Sequence, residues 1–276
     1  MKGRDDVGTL RAPLAHVLWI GGPPGSGKTS VATRLARRHG LRWYNADTRT
    51  WAHRDRALAA GIPAAHRWEE LAPEARGEAA PDDLFAMSLH RERGPIVIDD
   101  VRALPTAPII VAEGSTVPAS IVGDGIADRT RAVWLLPTEG FQQAQLAGHV
   151  AGARRLYSLL RNVIEQEARA YGAQVLSVDG TRGVDEITRA VEERFAAAIA
   201  EGPRADTLAD RRALLREANE AVVEQVRGYF ARPWAQGDPE QVVRSFLCEC
   251  GLTECSESVE ATVERAARPV YSPGHG

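Results

Sequence analysis

One stretch constrains this chain more than any other: Gly22-Pro-Pro-Gly-Ser-Gly-Lys-Thr29, entered from the apolar run His16-Val-Leu-Trp-Ile20. It fits the pattern G-x-x-x-x-G-K-[ST] of a phosphate-binding loop. The pattern has a physical basis. A buried strand delivers the chain to a tight turn, where Gly22, Gly25 and Gly27 supply backbone freedom that a Cβ would block. The residues Gly22, Pro23, Pro24, Gly25, Ser26, Gly27, Lys28, Thr29 and Ser30 then wrap a phosphate, with N–H groups facing it and a helix N-terminus behind. Lys28 adds a point charge at the β- and γ-phosphates, and the Thr29 hydroxyl is a Mg²⁺ ligand. The flanks agree with this, because 17–20 reads as a strand and 30–39 as an amphipathic helix. The sequence predicts a bound nucleotide.

Composition sets the frame for the rest. At 276 residues, 44% of them hydrophobic, the chain has room for one packed core domain plus an appendage. Its formal charge of −3 gives no electrostatic argument for a nucleic-acid partner, although a local basic face stays open. Residues 1–13 are polar and charged, without the apolar centre of a signal peptide, and no run of about 18 apolar residues is present to span a membrane. A cytoplasmic protein that does not enter a membrane is expected.

Taken in order, 41–46 resumes as a second strand leading to Asp47, and strand, loop, helix and strand make an α/β unit with a parallel sheet. Residues 48–81 form an insertion with helices near 51–60 and 64–71, where a substrate-covering segment fits. The rings near its start, Trp43, Tyr44, Trp51 and Trp68, read as packing rather than as a substrate cage. Residues 82–90 look helical. The stretch Gly94-Pro-Ile-Val-Ile-Asp-Asp100 supports either a strand ending in Asp99 and Asp100 or a helix starting at Pro95. The helix is preferred because a better strand follows within 107–114. That strand delivers Glu113 to the carboxyl end of the sheet, as an acidic metal ligand. Residues 131–137 and 174–178 supply the fourth and fifth strands, with helices at 141–145, 151–171 and 184–199. Arg154, Arg155 and Arg161 fall on the second of these helices, placed either to reach phosphates from a lid or simply to solvate a helix face.

Loop, Asp47, Glu113-Gly114, an arginine-bearing lid and Val178-Asp-Gly180 occur in the order seen in the P-loop kinases of small molecules and nucleotides. The chain resembles that group, which includes adenylate, shikimate and chloramphenicol kinases, over about residues 15–200. The resemblance implies a five-stranded sheet in the order 2-3-1-4-5 and a cofactor pair of ATP and Mg²⁺. It also implies transfer of the γ-phosphoryl to an acceptor hydroxyl. It places Asp47 where the acid after strand two orients or deprotonates that hydroxyl, an N-cap for the next helix being the alternative. It places Val178, Asp179 and Gly180 beside the adenine, and Lys28, Glu113, Arg154 and Arg155 among the catalytic groups. The partners implied are a nucleotide and a small-molecule acceptor.

The remainder divides into a helical linker, 201–235, and a small module, 236–276, after the nucleotide-binding domain of 1–200. The chain's three cysteines all lie in the module, and an odd, clustered set argues for metal ligation over a disulfide framework. Cys248, Cys250 and Cys255 with His275 complete a tetrahedral Zn²⁺ site, against free thiols in a small apolar module as the alternative. Residues 259–267 read as helix. The module is too small for a core of its own and needs a metal or packing against the long helix within 206–230. Three functions follow as expectations: an ATP-dependent phosphotransferase, a nucleotide-dependent regulatory ATPase whose C-terminal module docks a protein partner, and a kinase of nucleic-acid ends, which the acidic net charge disfavours. The strand form of 94–100 would favour the second.

Overall fold

A computed structural model describes residues 13–275. Expectations about 1–12 therefore lie outside the described residues. The chain opens on β1 (Val17–Gly21), buried at every position, and passes through the loop into α1 (Lys28–His39). Gly40, left-handed at φ 63°, ends α1, and three basic residues in the last turn (Arg37, Arg38 and His39) oppose the helix dipole. β2 (Arg42–Asn45) leads to a short 3₁₀ turn, Ala46–Arg49, that Asn45 caps by accepting from the Asp47 N–H. The insertion is helical throughout: α2 (Thr50–Ala59), α3 (Pro63–Glu70), α4 (Pro73–Glu78) and α5 (Pro81–Met87). A proline opens each of the last three, where its missing N–H costs nothing.

α6 (His90–Ala103) is the preferred helix of the ambiguous stretch. It starts a turn before the expected Pro95, and Pro95 lies inside it. β3 (Ile110–Gly114), α7 (Ser120–Gly123), β4 (Ala132–Pro137), α8 (Glu139–Gln145), α9 (Ala151–Ala170), β5 (Val175–Val178) and α10 (Val184–Glu201) complete the α/β part. The sheet is parallel and runs β2-β3-β1-β4-β5. Alternation along β1 feeds both layers. Val17 and Trp19 point into a core with residues of α6 and α9, while Leu18 and Ile20 meet α1 and α10.

α11 (Leu208–Phe230) leads into the antiparallel hairpin β6 (Val243–Leu247) and β7 (Ser258–Thr262), followed by α12 (Val263–Ala266). The expected helix over 259–267 is therefore strand in its first half, to Thr262, and helix only over the turn 263–266. Phe246 faces Val259 across the hairpin, and Thr262 caps a single helical turn by accepting from the Arg265 N–H. The stretch read as a linker is a packed element. One side of α11 puts Val223 and Val226 against Phe246, Val263 and Val270. Its other contacts are with the α/β part, through Arg42–Glu217 (3.0 Å) and Arg49–Glu224 (2.7 Å). At its end Tyr229 and Trp234 pack on Trp51, with ring centroids 5.5 and 5.9 Å away, and Arg76 stacks on both Trp68 and Trp234. Trp51 and Trp68 are thus packing rings, as read from the sequence.

Candidate functional site

The register of the sheet assembles the site. Ile20 and Asn45 both lie opposite Glu113, and Gly21 lies opposite Gly114, so β1, β2 and β3 end at one level. The loop needs its first glycines for space. A Cβ on Gly21 would stand 2.1 Å from the Trp134 indole, and one on Gly22, at φ 143°, would stand 2.4 Å from the Leu135 carbonyl. The Gln142 amide of α8 donates to the Pro24 carbonyl (2.9 Å) and to the Tyr157 carbonyl (3.3 Å), tying the loop to α8 and α9.

Two features of the loop fit an anion. Gly27 caps α1 in the left-handed region with no side-chain hydrogen bond, leaving the first-turn N–H groups for a ligand. Ser26 Oγ is buried without a partner. Beside them Lys28 Nζ, almost wholly buried, lies 3.3 Å from Asp47 Oδ2. Thr29 Oγ1 donates to Glu113 Oε1 at 3.0 Å, and Glu113 Oε2 has no partner. A hydroxyl and a buried carboxylate with a spare oxygen are the hard donors a Mg²⁺ ion takes. Asp47 Oδ1 accepts from the Ser115 hydroxyl (2.9 Å) and, at 3.4 Å, from the Ser115 N–H.

The two acids sit in environments that drive them apart. Burial pushes the Glu113 carboxyl up, Lys28 only partly offsets this, and its pKa reaches about 7. Burial also raises Asp47, but the charges of Lys28 and Arg93 and the Ser115 bond outweigh it, so Asp47 lies below its ordinary value. Lys28 is lowered by burial but raised more by Asp47 and Glu113, and remains a cation. At neutral pH the site therefore holds an ionised Asp47 and a Glu113 near its midpoint, a division suited to separate roles.

Sequence reasoning missed the support around Asp47. Buried Arg93 of α6 donates to the Ala46 carbonyl (2.6 Å) and to His53 Nδ1 (3.2 Å), and His53 Nε2 lies 2.8 Å from Asp100 Oδ2. Tyr44 also donates to Asp100, at 2.9 Å. Nothing in the local pattern marks Arg93, whose role depends on how α6 lies against β2. Ser115 was in reach, because it directly follows Glu113-Gly114 at a strand end. Asp99 and Asp100 sit on α6 and not at a strand end; Asp100 is held by Tyr44, His53 and Arg56.

The other expected residues fall outside this cluster. Val178 ends β5, and Asp179 closes a turn by accepting from the Thr181 N–H (2.9 Å) and hydroxyl (2.7 Å). Gly180, at φ 86°, passes Phe141 of α8 too closely for a Cβ. Arg154 donates to the Ala147 carbonyl, and Arg155 to the carbonyls of Gly77 and Ala79. Both arginines are thus engaged with backbone on α9's flanks, while Arg161 holds the Pro137 carbonyl at 3.0 Å.

A second constellation lies in the C-terminal module. The ligand atoms of Cys248, Cys250, Cys255 and His275 all lie within 4.8 Å of one another. His275 Nδ1 is 3.5 Å from the sulfurs of both Cys248 and Cys255, and the Ser272 N–H donates to Cys248 Sγ at 3.3 Å. Burial raises the Cys248 thiol, but the hydrogen bonds from Ser272, the Cys250 amide and His275 outweigh it and hold it below its ordinary value. Three sulfurs and an imidazole at this spacing can hold a metal such as zinc.

No family model matches the chain, and no curated protein matches it either. No described helix is long and apolar enough to cross a membrane.

Proposed function

We propose that this chain is an ATP-dependent phosphotransferase of the P-loop type, moving the γ-phosphoryl group to a hydroxyl of a small molecule or nucleotide. The convergence of Lys28, Thr29, Asp47 and Glu113 at the ends of three adjacent strands carries this reading. The loop amides and Lys28 would hold the triphosphate, and Thr29 and Glu113 the Mg²⁺, which when bound neutralises phosphate charge. Lys28 leaves Asp47 for the phosphates, which frees an ionised carboxylate within a few ångströms of the loop. Asp47, oriented by Ser115, then accepts a hydrogen bond from the acceptor hydroxyl and takes up its proton. Arg93 keeps Asp47 ionised and pins the turn that carries it. Positioning and electrostatics supply most of the acceleration in such a site.

In the same reading the Cys₃His cluster holds Zn²⁺ as a structural ion, since four protein ligands leave no open position. The regulatory-ATPase alternative drew its sequence support from Asp99 and Asp100 at a strand end. Their place on α6 removes that support.

The test is ATP consumption with Mg²⁺ against a panel of nucleosides, sugars and other hydroxyl-bearing acceptors, with products read by mass spectrometry. Stimulation by one acceptor, with a product heavier by one phosphoryl group, is expected. Steady hydrolysis that no acceptor changes would favour the regulatory ATPase.

A further inference from the structure

Arg37, in the last turn of α1, is only 7% exposed, and both its terminal nitrogens are buried without a hydrogen-bond partner. A guanidinium does not shed its proton in a protein, so this is a fixed buried charge and needs an answering one. The described residues lining the two cavities against Arg37 include no carboxylate. They do include Cys255, across a cleft of about 270 Å³ shared with Thr29, Thr33, Trp43 and Asn219. Thiols in their neutral form would leave the arginine uncompensated. Three thiolates around one Zn²⁺ carry a net single negative charge, delocalised over the sulfurs, and Cys255 brings part of it to the cleft that Arg37 lines.

We propose that Arg37 is the electrostatic counterpart of the metal-loaded Cys₃His centre, so that metal binding clasps the C-terminal module onto the phosphate-loop helix. This rests on the metal reading above. The clasp spans two parts of the chain that the sequence keeps far apart. Arg37 shares a face of α1 with Thr29 and Thr33, at intervals of four, so the helix that starts in the loop carries Arg37 to the cleft that Cys255 also lines. Arg212 of α11 supports the same junction by donating to the Cys250 carbonyl at 3.1 Å. No ligand to the metal is asked of Arg37. It acts as a positioning residue through charge.

The experiment compares the wild-type full chain with Arg37→Met and Arg37→Lys. Zn²⁺ affinity is measured by competition with a chromophoric chelator, and urea unfolding is followed with and without Zn²⁺. Arg37→Met should weaken Zn²⁺ at least about tenfold, the scale for an outer-shell partner of a metal site, and Arg37→Lys by less. Without metal, Arg37→Met should be as stable as the wild type or more so, because a buried uncompensated charge is gone. With Zn²⁺ it should be the less stable of the two. Unchanged Zn²⁺ affinity, or an equal stability loss in both states, would overturn the proposal. If Arg37→Met does not fold, Zn²⁺ affinities in the order Arg, Lys, Gln support it, and equal affinities refute it. Failure of the metal reading shows separately, before Arg37 is altered, as wild-type protein lacking the visible thiolate bands of bound Co²⁺, or as Cys250→Ser retaining them.

Discussion

At the scale of single residues, Lys28, Asp47 and Glu113 divide the work of one small site by their surroundings. Lys28→Ala should lower nucleotide turnover by about 10²–10³-fold while far-ultraviolet circular dichroism stays native; retained turnover in a folded variant would remove Lys28 from the phosphates. Glu113 makes a pH prediction with a definite sign. Its carboxyl titrates near 7 in the fold against an ordinary 4.5, so the folded state holds a proton that the unfolded state releases first. Its contribution to stability is full below about pH 4.5 and is lost as pH rises through about 7, worth at most about 3 kcal/mol. In metal- and nucleotide-free protein, the stability difference between wild type and Glu113→Gln should therefore move against the wild type across that window. A pH-independent difference in denaturant unfolding would contradict the assigned environment. Lys28, Thr29, Asp47 and Glu113 were all legible, because motif and strand-end position name them. Arg93 and the Tyr44–His53–Asp100 group were not, since a lone arginine on a helix reads as solvated until its neighbours are known.

At the scale of elements, the five strands were legible because each is a short run of strand-forming residues leading to a glycine, proline or acid, whereas their order came only from the resemblance. The hairpin β6–β7 was not. Only Phe246 on it is buried, and five-residue strands with charged neighbours look like helix flanks. The stretch at 94–100 shows the opposite case, where apolar residues flanking Pro95 supported two readings. Packing of Val97, Ile98 and Val101 into the core beside Trp19 settles it as helix. The loop's entrance depends on close approach between elements, since β1 passes β4 with the Trp134 ring over Gly21. Gly21→Ala should accordingly cost about 1–3 kcal/mol in urea unfolding, as overpacking does in a tight core. A neutral effect would show that Trp134 can move aside, and that the loop's entry is not held by this contact.

At the scale of the whole molecule, α11 joins two bodies that the sequence read as a domain and an appendage. Its ion pairs to Arg42 and Arg49, the aromatic cluster at its end and the hairpin core on its other side make it an internal element. If the module holds zinc as proposed, chelation or Cys250→Ser should raise amide exchange over residues 243–275 and leave the five-stranded sheet protected. Uniform loss of protection would mean that the module is needed for the core to fold. The measurement that bears most directly on the central claim follows label from γ-labelled ATP in wild type and Asp47→Asn side by side, with ATP affinity measured in parallel. Label should enter a small-molecule product, and Asp47→Asn should cut that transfer by about 10²-fold or more while ATP affinity changes little. Label released only as free phosphate, at a rate that Asp47→Asn leaves unchanged, would contradict the assignment of a phosphotransferase.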